Sequence, residues 1–136
     1  MKKEFLSYEM ALELKKLGFD EPCIGNYRKV QVTDAKTGDS SESIIYLDVM
    51  HFTINFNENN KETDASALTF HQAFRWFREK YNFHSNIKCV NTVYNNHFRF
   101  EIDSNGETLA CTNKIESYEK AELRCLQKLI EITKNK

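Results

Sequence analysis

Glycine, proline and closely spaced cysteines are all scarce in this 136-residue chain, and each scarcity excludes something. With only four glycines there is no Walker loop, no G-x-G-x-x-G and no G-x-S-x-G, so few places exist where backbone can wrap a phosphate or present a serine on a sharp elbow. Cys23, Cys89, Cys111 and Cys125 include no C-x-x-C pair, the spacing a zinc or redox site needs. His51, His71, His84 and His97 fall in neither H-x-x-x-H nor H-E-x-x-H spacing. No run of 18 apolar residues is present, so no transmembrane helix is expected. Glu9 and Glu13 follow Met1–Phe5 before an apolar signal core could form, which predicts no secretory signal and a cytoplasmic protein. In that compartment the four thiols are expected to be reduced, with Cys89, Cys111 and Cys125 buried at apolar positions. Net charge is −1, which removes the bulk electrostatic case for a nucleic-acid or membrane binder.

What remains is an ordinary folding composition. Hydrophobic residues make up 40% and charged residues 29%, which excludes wholesale disorder. A chain of this length buries roughly 68% of its unfolded surface and needs no metal or disulfide to hold together. Ser7 is a good N-cap for a helix over 8–17, and Gly18 supplies its left-handed end. Residues 26–33 alternate as a strand, and 34–43 read as a loop. Residues 44–56 give the strongest strand signal. Ile44, Tyr46, Met50, Phe52, Ile54 and Phe56 share one face, while the other is apolar at Ile45, Leu47 and Val49 before turning polar. That pattern predicts a long strand covered on both sides at its start and on one side at its end. The polar segment 57–66 is expected to be a mobile loop.

Thr69 and Gln72 form a capping box for a helix over 70–81, whose Phe70, Ala73, Phe74, Phe77 and Tyr81 make an aromatic core stripe. Three strands follow at 86–94, 97–103 and 107–111, the last two joined by Asn105-Gly106, a type I′ turn signal. Ser117 caps a final helix over 118–133. The order α-β-β-α-β-β-β-α, with hairpin-length connections, predicts a single α+β domain over 1–136. Its sheet should be mainly antiparallel, with helices mostly on one face. Residues 1–66 form an acidic αββ part with 8 basic and 12 acidic groups; residues 67–136 form a basic αβββα part with 11 and 8.

Two resemblances follow from particular segments. LKKLGFDEPCIGNY (14–27), QAFRWFREKY (72–81) and SYEKAELRCLQKLIEI (117–132) resemble a family of short uncharacterised proteins of bacteria and their phages. That resemblance implies an accessory role of phage or mobile-element origin and transfers no catalytic residues. Residues 69–133 are similar in element order to a double-stranded RNA-binding domain, through Phe98, Phe100, the Asn105-Gly106 turn, Ala121 and Leu126. These are fold determinants. Where that family places a lysine cluster against phosphates, this chain has Tyr118, Glu119, Lys120 and Glu122, and carboxylates repel phosphate.

One interaction patch stands out: Arg75, Trp76, Arg78 and Lys80. Trp and Arg dominate interface hot spots, and a Trp set off the aromatic stripe beside arginines offers either a docking surface or a base-stacking platform. The competing account buries Trp76 beneath the N-terminal αββ segment, and burial is the expected outcome. His71 in the first helical turn is expected to be exposed, and Glu119 and Glu122 to act as a solvated cap and ion-pair partner. No cofactor or metal is implied. The sequence therefore points to a non-enzymatic, cytoplasmic interaction protein with a protein partner and no membrane association. The alternatives are a nucleic-acid-binding module using the basic second half, and, more weakly, a small enzyme with an unrecognised site. The oligomeric state is left open.

Overall fold

The computed structural model describes residues 2–38, 40–58 and 62–136. The chain divides into two units, 1–69 and 70–136. In the first, the Ser7 hydroxyl accepts the Met10 amide at 3.3 Å and starts α1 (Tyr8–Lys16). Gly18, with φ of 91°, ends it. The Phe19 amide then turns back to the Leu14 carbonyl, and the Phe19 ring is buried. β1 (Cys23–Thr33) and β2 (Ser40–Ile54) pair antiparallel as a long hairpin, with β2 the longest strand. A short strand, β3 (Ala65–Ala67), pairs antiparallel with β1 at Gly25, Asn26 and Tyr27 only. The sheet order is β2-β1-β3.

Several expectations are corrected here. The serine-rich run from Ser40 belongs to β2, paired with the end of β1, so the loop is shorter than 34–43. Phe56 lies outside β2, in a single 3-10 turn over Phe56–Glu58. The segment 57–66 contains buried structure: Asp64, Ala65 and Ser66 are all covered, and the Ser66 hydroxyl accepts the Phe56 amide at 3.1 Å. Residues 59–61 of the segment expected to be mobile lie outside the described residues. The start of β2 is uncovered rather than covered on both sides. Ile44, Ile45 and Tyr46 are each more than 40% exposed. The reason is length: α1 has nine residues, about 13 Å at 1.5 Å each, whereas β1 has eleven, about 36 Å. With β3 also ending at Tyr27, the far part of the hairpin is a two-stranded ribbon standing clear of the first unit's core.

The second unit has the order α2 (Phe70–Tyr81), β4 (His84–Asn91), β5 (Asn96–Ser104), β6 (Glu107–Cys111) and α3 (Tyr118–Lys134). Its strands form an antiparallel sheet in the order β4-β5-β6. The chain is thus α+β with all pairings antiparallel. Among the described residues there are two three-stranded sheets, and the short β3 is added to the expected order. Asn105 and Gly106 both take positive φ, 52° and 82°, as the β5–β6 turn requires. Ser117 accepts the Lys120 amide at 3.2 Å and starts α3. Helices α2 and α3 pack against the sheet face that carries Ile87, Phe100 and Ile102.

Two details differ from the periodic reading. On α2 the fully buried positions are Ala73, Trp76 and Phe77, while Phe70, Phe74 and Tyr81 are only half-buried. At 100° per residue the buried arc is rotated by roughly 60° from the aromatic stripe. β4 stops at Asn91, so Val93 and Tyr94 sit in a tight turn closed by Thr92 and Asn95 and are 94% and 91% exposed. Cys23 and Cys125 are buried, but Cys89 and Cys111 are exposed. Cys89 pairs with Phe98 on the helix side of the sheet, near the end of β4 that runs out to this turn; Cys111 pairs with Glu101 on the opposite side.

Candidate interaction surface

The patch singled out by sequence divides. Trp76 is 3% exposed. Its ring meets Phe77 edge-on at 5.0 Å and Tyr81 at 5.4 Å, and the Lys80 ammonium lies 5.0 Å above it. Arg78 and Lys80 are exposed on the same helix and Arg75 is half-buried. The indole is therefore core, and it offers no open face for base stacking or docking. His71 is exposed as expected.

The N-terminus of α3 carries charges of both signs. The Lys120 ammonium is engaged by Glu116 one turn earlier, and this hydrogen bond holds the Glu116 carboxyl below its usual range. Glu119 is exposed and Glu122 half-buried. Burial first, then the Glu119 charge, pushes the Glu122 carboxyl above its usual range. Other cations in this unit are also committed. Lys88 pairs with Glu101 at 3.1 Å, Lys128 with Glu131 at 2.8 Å, and Lys136 lies 4.5 Å over the Phe83 ring. Beside α3, a small polar depression of about 200 Å³ is lined by His71, Phe74, Ser85, Ile87, Tyr118 and Glu122. Ser85 Oγ is fully buried there, next to the Cys125 thiol, so the serine hydroxyl is not presented to solvent.

The surface that sequence reasoning missed is the β1–β2 ribbon. By register, Tyr27, Lys29, Ile45, Leu47 and Val49 share one face, and Arg28, Val30, Val32, Ile44, Tyr46 and Asp48 share the other. The first face flanks a groove with Phe5, Leu6 and Ser7, where the Tyr27 hydroxyl donates to the Leu6 carbonyl. On the second face Arg28 pairs with Asp48 at 3.2 Å and lies 5.5 Å over the Tyr46 ring. Val32, Ile44, Ile45, Tyr46 and Val49 are all exposed. Their concentration on one hairpin is unlike the scattered single apolar residues of an ordinary surface. The signal was present in the sequence as apolar residues on both faces of 44–50. That pattern is shared by a strand buried inside a fold and one awaiting a partner, and the sequence favoured the first.

Among the described residues no group of three or more His, Cys, Asp and Glu side chains is placed to hold a metal ion, and all four cysteines are free thiols. No helix of the described residues is long and apolar enough to cross a membrane. Comparison with known protein families, curated proteins and solved structures finds no match to this chain.

Proposed function

We propose that this protein acts by binding another protein through its β1–β2 ribbon, as a non-enzymatic cytoplasmic accessory factor of phage or mobile-element origin. The observation that carries the reading is the ribbon itself, whose two strands hold exposed apolar residues on both faces beyond the reach of α1 and β3. Leaving such a surface in water forfeits about 25 cal/mol for each Å² of apolar area that a partner would cover. Val93 and Tyr94, at the tip of the β4–β5 turn, add a second apolar point on the other unit.

Nucleic-acid binding is the second reading, favoured by one observation: the α2-β4-β5-β6-α3 order matches the topology that the resemblance to a double-stranded RNA-binding domain implies. The side chains weigh against it, since Glu119 and Glu122 occupy the helix start where phosphate would lie. The test is capture of a partner from host extract by the wild-type chain and by Val30→Ser/Val32→Ser, two changes on β1 that leave β2 intact. Specific loss with the variant, at an affinity insensitive to salt, is the expected result. Capture unchanged by the variant would overturn the reading. Binding to a 20-base-pair RNA should be weak and lost by about 150 mM salt; tight binding at that salt would put nucleic acid first.

A further inference from the structure

We infer that the partner of β2 is a second copy of the same chain, paired antiparallel with it about a two-fold axis at Leu47. This rests on reading the ribbon as an interaction surface and adds the occupant of its outer edge. In the sheet order β2-β1-β3, β2 has a neighbour on one side only, so its other row of amides and carbonyls carries no strand of the described residues. An edge of fifteen residues with exposed isoleucine, tyrosine and valine is a template for another strand. Apolar side chains stand on both faces of the ribbon, and a partner laid on one face leaves the other in water. Edge pairing is the arrangement that gives β2 new neighbours on both faces at once.

The sequence of β2 is matched to itself. The strand runs from Ser40 to Ile54, so Leu47 is its midpoint and a two-fold axis there overlaps the whole edge. In that register Leu47 meets Leu47, Ile45 meets Val49, Ile44 meets Met50, and Tyr46 meets Asp48. Every apolar residue of 44–50 except Tyr46 then faces an apolar residue, and no two like charges are opposed. Moving the axis to Tyr46 sets Asp48 against Ile44. Charge complementarity supports the same choice. Each Asp48 already holds Arg28, and each Arg28 lies over its own Tyr46. Placing Asp48 of one copy beside Tyr46 of the other joins the two clusters into a row in which guanidinium, carboxylate and ring alternate across the axis. A two-fold contact of this kind is closed and self-complementary.

Its size sets its strength. Fifteen residues at about 3.4 Å each, by about 10 Å of sheet depth, give about 500 Å² on each copy and about 1,000 Å² in all. That is an upper bound, because β2 departs from regular pairing with β1 between Val49 and Ile54. The area lies at the lower limit for a specific interface, so the dimer should be concentration-dependent, forming at tens of micromolar and dissociating below about 1 µM.

The test uses the full chain in a Cys89→Ser/Cys111→Ser background, so that the exposed thiols do not cross-link, with mass measured by sedimentation from about 1 to 200 µM. The background protein should pass from monomer to dimer over that range. Ile45→Lys/Val49→Lys opposes like charges in the proposed register and should remain monomeric throughout. Ile45→Lys/Val49→Glu opposes unlike charges and should recover the dimer. Both positions of these variants, Ile45 and Val49, are more than 40% exposed in the native chain, and unchanged circular dichroism shows that the fold is kept. A background protein monomeric at 200 µM, or two double variants that associate alike, would overturn the inference. A monomer whose partner capture is still lost on Val30→Ser/Val32→Ser overturns the pairing alone. A dimer with capture unaffected by that change supports the pairing and overturns the wider reading of the ribbon.

Discussion

Replacing Trp76 by alanine is the sharpest single test of how the second unit is built. The side chain is 3% exposed, so nearly all of an indole's accessible area, about 150–250 Å², is removed from water on folding. At about 25 cal/mol per Å² that corresponds to about 4–6 kcal/mol, an upper bound because the unfolded chain already hides part of it. The alanine methyl retains a little, and the edge-on contacts with Phe77 and Tyr81 are lost as well. The expected cost of Trp76→Ala is about 3–5 kcal/mol, a large part of a total stability of about 5–15 kcal/mol. Lys80→Ala removes only the exposed cation over the ring and should cost about 1 kcal/mol or less. Urea unfolding followed by far-ultraviolet circular dichroism measures both. The native protein carries its own control, since Trp76 is the only tryptophan. Its emission should be blue-shifted and shielded from iodide. A cost for Trp76→Ala within about 0.5 kcal/mol, or emission that iodide quenches freely, would refute the burial on which this reasoning stands.

Gly25→Ala should destabilise the first unit by about 1–3 kcal/mol in thermal or urea unfolding. A Cβ there would lie 2.9 Å from Ala67 Cβ and 3.0 Å from Phe5 Cε1, so β3 must move away from β1; a neutral or stabilising change would show that β3 docks differently. A thiol reagent at pH 8 should modify two cysteines of the native chain quickly, Cys89 and Cys111, and four only after denaturation. Burial pushes the Cys125 thiol up to about 11, which leaves about one in a thousand ionised at pH 8; four fast thiols in the folded protein would contradict this. The Glu122 carboxyl is held above its unfolded value by burial and by Glu119, so its contribution is present below about pH 4.5 and lost as pH rises through the folded value. Glu122→Gln should therefore raise the melting temperature at pH 7 and have no such effect at pH 4; an equal gain at both would rule out titration as the cause.

Local chemistry was legible in the sequence and tertiary neighbours were not. Ser7 and Ser117 cap their helices because a hydroxyl beside three orphan amides needs nothing from elsewhere in the chain. Helix α2 runs over Phe70–Tyr81 as its periodicity required, and Asn105-Gly106 turns where two residues tolerant of positive φ adjoin. The antiparallel α+β order follows from connection lengths alone. The tertiary structure decided the rest. Ala65-Ser66-Ala67 is a buried strand inside a polar run because Gly25 leaves room for it, a fit between residues forty positions apart. Trp76 is buried although it lies off the aromatic stripe, because tertiary neighbours decide burial and periodicity does not contain them. Cys89 and Cys125 sit in similar apolar settings, yet only the second is covered. The ribbon is the plainest case. Ile44 and Ile45 read as interior residues, and only the lengths of α1 and β3 set against that of β1 leave them in solvent.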